Sequence, residues 1–225
     1  MGLAAAGVTL LVALAGLRGP DGGIGFDMDT VRYFLAGFLV VTLPPLFLYW
    51  LLIHPLVNFW RGKGIGPTYT VVLTIIVAGM IGLFSLRHYL LASDFGTHYL
   101  LVTLGVSILI LSGSMRFAIQ KHLSIKTLLG LPEIAPECFP RALITDGIYG
   151  RMRHPRYVQL LIAFVGYALI ANNLAVYLIV ALWVPGIYAI VLLEEQELRA
   201  HFGDISAAYC RKVPRFLPKW RKGRA

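Results

Sequence analysis

The chain has 225 residues, of which 58% are hydrophobic and only 14% charged, whereas soluble globular domains carry about 25% charged residues. That excludes an ordinary soluble domain and indicates an integral membrane protein, in which several spans of ~20 apolar residues use up most of the length. The net charge of +9 does not point to nucleic acid, because the basic residues border apolar runs and no helix or sheet is left over to enter a groove.

Leu3–Leu17 is the first apolar run. No positive charge precedes it, so it reads as a short retained span rather than a cleaved leader. A linker rich in glycine and aspartate, Arg18–Asp29, leads to a second span, Thr30–Ile53, where Pro44-Pro45 is expected to bend the helix. The basic, glycine-rich stretch Arg61–Gly66 lacks the spacing of a phosphate-binding loop and reads as a turn into Pro67 at a helix start. Thr68–Leu86 and Thr97–Ile119 are the third and fourth spans; Gly105, Ser107, Ser112, Gly113 and Ser114 in the fourth are small enough to admit a neighbouring helix.

Lys121–Gly130 carries Ile125, Leu128 and Leu129 on one face and suits the membrane interface. Pro132, Pro136 and Pro140 then rule out a regular helix. Tyr157–Ile170 and Leu174–Leu193 are two further apolar helices, and the tight Asn172-Asn173 junction makes them an antiparallel hairpin, the second kinked at Pro185-Gly186. The chain ends in a basic tail, Arg211 to Arg224, suited to anionic lipids. Cys138 and Cys210 are too few for a disulfide framework or a zinc site, and no metal site is expected.

The expected fold is therefore all-α: a polytopic membrane bundle of about six transmembrane helices. Residues 1–114 hold the N-terminal spans, the last ending near 119. Residues 115–225 form a C-terminal region around the helical hairpin 157–193. Every lysine and arginine except Arg18, Arg32 and Arg87 falls in loops 54–67 and 116–156 or after Glu197. The positive-inside rule then puts both termini in the cytosol. It also puts Asp146–Tyr157 and Glu194-Glu195 on that side, where the hairpin lets them meet.

Asp146–Tyr157 gathers Arg151, Arg153, Arg156, His154, Tyr149 and Tyr157 at the mouth of an apolar helix. Gly147 and Gly150 permit tight turns, and His154-Pro155 can start a helix. The arginines can hold a carboxylate or phosphate, or act only as topology anchors. The tyrosines offer aromatic faces to a cation or purine, or are interfacial belt residues. Glu194 and Glu195 add negative charge where burying an unpaired carboxylate is costly; Glu195 alone could pair with Arg199 along the helix.

Gly147-x-Tyr149-x-x-x-Arg153-His154-Pro155-x-Tyr157, then Glu194-Glu195, Leu198, Phe202-Gly203, Tyr209 and Val213-Pro214-Arg215-Phe-Leu-Pro218, resembles the isoprenylcysteine carboxyl methyltransferase family and its bacterial phospholipid-methyltransferase-like relatives, over about residues 115–218. The resemblance implies an S-adenosylmethionine-dependent membrane methyltransferase whose lipophilic acceptor enters from the bilayer: a prenylcysteine carboxylate, a lipid amine or another hydrophobic molecule. It implies that Gly147, Tyr149, Arg153, His154, Tyr157, Glu194 and Glu195 bind the cofactor, with Glu195 also orienting the acceptor or taking a proton from an amine. Relatives often carry arginine where this chain has His201, a weaker carboxylate anchor and a plausible base.

Two other readings compete. An NADPH-dependent sterol-reductase-like enzyme shares an Arg-His-Pro-x-Tyr-like segment, but Arg156 and Val158-Gln159 depart from its pattern. A non-enzymatic transporter or assembly factor would be expected to show ionisable residues within the spans, and here the charges lie at span ends.

Overall fold

The long apolar runs become helices because in hydrocarbon every backbone polar group must be satisfied within its own segment. A computed structural model describes residues 27–53, 55–120 and 143–218. It contains α1 (Met28–Ile53), α2 (Val57–Arg61), α3 (Ile65–Ser85), α4 (Arg87–Leu90), α5 (Tyr99–Gln120), a 3-10 turn (Gly147–Gly150), α6 (Pro155–Ala171), α7 (Leu174–Phe202) and α8 (Asp204–Lys212). No β-strand occurs among the described residues. The protein is a helical membrane bundle in which α1, α3, α5 and α7 are long and apolar enough to cross a bilayer.

Of the six expected spans, four are described as helices long and apolar enough to cross a bilayer. α6 is apolar but has only 17 residues, about 25 Å of helix against a ~30 Å hydrocarbon core. Leu3–Leu17, the interfacial segment Lys121–Gly130 and the proline-rich loop after it lie outside the described residues. α1 and α7 run on through Pro44-Pro45 and Pro185 as single helices. At Gly64 the backbone is left-handed (φ 79°), so the chain turns there into α3, with Pro67 in the first helical turn. That residue needs no backbone donor at that position.

The core lies between α1, α6 and α7, where Leu39, Leu43, Phe164, Trp183 and Ile187 are buried together. Phe47 of α1 occupies the notch left by the missing side chain of Gly186, and a Cβ there would collide with its ring. The Phe47 ring also packs on Trp183, with centroids 5.1 Å apart. α5 lies along α6 through a glycine contact: a Cβ on Gly105 would stand 2.7 Å from the Gly166 carbonyl oxygen. On the same seam Gln159 Nε2 donates to Ser112 Oγ at 2.7 Å, and Ser112 Oγ to the Gln159 carbonyl at 3.1 Å. Small residues and paired polar groups are how helices associate where the solvent is itself apolar.

The α6–α7 hairpin turns at Asn172, whose left-handed φ of 46° ends α6; asparagine tolerates this conformation better than most residues. Asn173 caps α7, its side chain accepting the Ala175 N–H at 3.0 Å. The segment before α5 is tied to this tip: Phe95 N–H donates to the Asn172 carbonyl, Leu174 N–H to that of Ser93, and Asn172 Nδ2 to that of Gly96.

Arg32, 1% exposed, closes this pole of the bundle. It donates to Asp29 at 2.8 Å, Asp94 at 2.5 Å, Thr97 at 3.2 Å and the Ala171 carbonyl at 3.1 Å. The clasp joins α1, the 94–97 segment and the hairpin tip. The opposite ends of α1, α6 and α7 converge at the other pole.

Candidate functional site

At that second pole the chain before α6 is shaped by its glycines. Gly147 adopts φ 57°, which a residue with a Cβ disfavours, and opens the 3-10 turn that buries Tyr149. Tyr209 of α8 donates its hydroxyl to the Tyr149 carbonyl at 2.7 Å. Burial pushes both phenols up, Tyr149 and Tyr209 each to about 12, so both remain protonated donors.

Two backbone bonds fix the next residues: Arg153 N–H donates to the Pro214 carbonyl at 2.9 Å and His154 N–H to that of Arg215 at 3.1 Å. His154 is the N-cap of α6 and Pro155 its first residue, where proline's missing N–H is no loss. The segment 213–216, which follows α8, is thereby strapped across the start of α6.

Glu195 lies where these elements meet. Its Oε1 is 2.7 Å from Arg153 Nη1, 3.1 Å from His154 Nε2 and 3.0 Å from Arg215 Nε. Its Oε2 accepts from Arg215 Nη2 at 2.7 Å. Three donors thus crowd Oε1 and one engages Oε2, the arrangement of a fully ionised carboxylate. Because a carboxylate only accepts, His154 carries a proton on Nε2. Glu195 is thus the tie that holds two arginines and a histidine in one frame, and the Glu195–Arg199 helix-surface pair is not the arrangement adopted.

Glu194, one residue earlier, accepts from the Tyr157 hydroxyl, and its Oε2 is 3.8 Å from His154 Nδ1. His154, 7% exposed, therefore stands between both carboxylates. Its ring is flanked by Tyr157 and Phe216, with centroids at 6.0 and 6.3 Å. Trp50 from α1 meets Tyr157 edge-on at 6.0 Å. The Arg156 guanidinium lies over the Trp50 ring, 4.9 Å from its centroid.

Of the residues singled out in the sequence, Arg153, His154, Tyr157, Glu194 and Glu195 come together directly. Gly147 and Tyr149 border them through the 3-10 turn and Tyr209. His201 does not join them. It lies six residues beyond Glu195, about 9 Å further along the helix on another face, and is exposed with its ring edge-on to Phe202. Arg215 belongs to the tail block that carries the family resemblance and has no role assigned from the sequence, although it supplies two of the four donors to Glu195. Trp50 carried no sequence signal, being one aromatic residue at the end of an apolar span.

The frame has groups that could hold a zwitterionic small molecule. Arg153 Nε is buried without a hydrogen-bond partner, and a donor so placed is costly until an acceptor reaches it. A ligand carboxylate fits that need, while Glu194 and the Tyr157 and Phe216 rings suit a cationic portion.

Residues 100–205 match the family model described as phospholipid methyltransferase. A protein-S-isoprenylcysteine O-methyltransferase from Schizosaccharomyces pombe is 35% identical over 77 residues, covering 34% of this chain and 33% of that protein. The cobalt-zinc-cadmium resistance protein CzcN from Cupriavidus metallidurans is 35% identical over 78 residues, covering 34% of this chain and 36% of that protein. The matched stretch thus spans about a third of the length of these curated relatives. No solved structure matches the chain. The family and relative matches support an isoprenylcysteine-methyltransferase-like membrane family.

Proposed function

From this resemblance to membrane methyltransferases and the frame around Glu195, we propose that the protein is an S-adenosylmethionine-dependent methyltransferase acting on a lipophilic acceptor, with its site at the cytosolic face. One observation carries the reading: His154 Nε2 lies 3.1 Å from Glu195 Oε1 although 41 positions separate the two residues. The two blocks that carry the resemblance thereby meet in space. The concentration of arginines and lysines in the connections on this side supports the cytosolic placement.

In this reading Arg153, with its unpartnered Nε, receives the donor's carboxylate, and Tyr149 and Tyr157 border the pocket. Glu194 bears on the cationic part of the cofactor. When bound, S-adenosylmethionine supplies an electrophilic sulfonium methyl group for in-line attack by the acceptor. The chain's own contribution is alignment: the strap 213–216 and Glu195 fix Arg153 and His154 before any ligand arrives, and preorganised alignment is a large part of the acceleration such a reaction needs. Glu195, held as a carboxylate by Arg153, His154 and Arg215, is a positioning residue and takes no proton. A carboxylate or thiolate acceptor requires no base. His201 is assigned no step.

The test is binding of S-adenosylmethionine and of NADPH to the purified full chain in neutral detergent, measured by calorimetry. The expected result is saturable binding of the methyl donor that His154→Ala abolishes while the protein stays folded. Heat with NADPH and none with S-adenosylmethionine would overturn the reading.

A further inference from the structure

Three arginines surround the site, and their surroundings differ. Arg153 and Arg215 are both committed to Glu195, at 2.7 Å each. Arg156 has no carboxylate within ion-pair distance among the described residues; its guanidinium lies over Trp50 at 4.9 Å and near the Tyr157 ring at 5.8 Å. It is half-buried.

A guanidinium laid on an indole is oriented and partly desolvated by the ring, while its N–H groups at the edge remain able to grip oxygen atoms. The charge is thus presented to an incoming anion without being neutralised. Tyr157 touches both sides: its hydroxyl is on Glu194, while Trp50 meets it edge-on. Trp50 lies near the end of α1, an apolar helix long enough to cross the bilayer. A molecule whose tail lies along α1 therefore meets Arg156 at the level where its head leaves the hydrocarbon.

We propose that Arg156, held over Trp50 beside Tyr157, binds the anionic head of a membrane amphiphile, either a phosphate or a carboxylate, and so positions the acceptor. This rests on the methyltransferase reading for its purpose but not for its detection. Lysine would not reproduce it, since an ammonium is a compact charge without the planar face that stacks on indole.

Calorimetric titration of the full chain in neutral maltoside detergent with dodecyl phosphate, and separately with dodecanoate, tests the proposal. S-adenosylmethionine binding is measured alongside. The wild type is expected to bind at least one amphiphile, and the stronger of the two identifies the head group as phosphate or carboxylate. Arg156→Ala and Trp50→Ala should weaken that binding tenfold or more, with Arg156→Lys recovering only part. Lys63→Ala, which removes another cation held over an aromatic ring, at 5.5 Å from Phe59, should leave it unchanged.

The proposal is overturned if the wild type binds neither amphiphile, or if Arg156→Ala binds both as tightly as wild type while still binding S-adenosylmethionine. Loss of S-adenosylmethionine binding in a folded Arg156→Ala, with amphiphile binding intact, would also overturn it and assign Arg156 to the cofactor. Arg156-dependent amphiphile binding by a wild type that takes no S-adenosylmethionine would support the anion site and sink the methyltransferase reading instead.

Discussion

Arg215 is linked to His154 by two routes: its carbonyl accepts the His154 N–H at 3.1 Å, and its guanidinium grips Glu195, whose Oε1 is 3.1 Å from His154 Nε2. Backbone and side chain of one residue thus fix both ends of the histidine. Arg215→Ala keeps the backbone bond and loses the side-chain route. Charge-assisted bonds contribute about 1.5–3 kcal/mol each, so S-adenosylmethionine affinity should fall roughly tenfold or more. Arg215→Lys should recover only part, because one ammonium cannot reach both Glu195 oxygens in the fork geometry. Calorimetry on the two variants checks this; equal affinity in both and in wild type would show that the strap acts through its backbone alone.

Glu195→Gln removes the charge that balances Arg153 and Arg215. Glu195 and Arg153 side chains are each 13% exposed, so breaking the pair strands buried charge at about 3 kcal/mol. The thermal midpoint should drop by roughly 6–12 °C, together with loss of cofactor binding. An unchanged midpoint would mean that water screens the cluster.

The seam between α5 and α6 permits a paired test on one helix. Gly105→Ala drives a methyl group to 2.7 Å from the Gly166 carbonyl oxygen and from the Ile170 side chain. It should destabilise by about 1–3 kcal/mol, the usual range for overpacking. Gly113→Ala on the same helix meets nothing within 4 Å and should be neutral or slightly stabilising, since alanine is the better helix former. Thermal melts of both variants in one detergent separate the two effects.

Tyr149 and Tyr209 are each raised from 10.0 to about 12 by burial. A raised phenol stabilises the folded state only while the unfolded chain would also hold the proton. That contribution is complete below about pH 10 and is lost as the pH climbs from about 10 towards about 12. Melts across this alkaline range should show a steepening loss of stability, and Tyr209→Phe should lessen it. A Tyr209→Phe curve parallel to wild type would show that this hydroxyl is not buried in solution.

Much of this arrangement was legible in the residues, for identifiable reasons. Runs such as Thr68–Leu86 announce helices through length and apolarity, and the observed helix, Ile65–Ser85, differs only at its ends. The Asn172-Asn173 turn is too short for anything but a hairpin, which is why His154 and Glu195 could be placed together. How deeply the 17-residue α6 sits in the bilayer was not legible, because periodicity does not measure depth. Trp50, Arg215 and Arg32 stayed hidden for a shared reason: their partners lie far away in sequence. An arginine in a basic tail, or one near the start of a span, has the composition of a topology signal whether or not it is buried.

Arg32 bears on how the molecule is made as well as how it is held. Its hydrogen bond to the Ala171 carbonyl joins residues 139 positions apart, while its bond to Asp29 is local. During synthesis from the N-terminus, α1 reaches the bilayer long before α6 and α7 exist. Until then this guanidinium has Asp29 and, once the 94–97 segment is made, Asp94 and Thr97 as partners. Insertion of the last hairpin supplies its remaining partner, the Ala171 carbonyl, and the same event brings Glu195 to His154 at the opposite pole. Completion of the C-terminal hairpin thus seals one face of the bundle and assembles the site on the other, so a chain truncated before it would leave the Arg32 ion pair uncovered, and an uncovered charge in a membrane is a conspicuous mark of an unfinished protein.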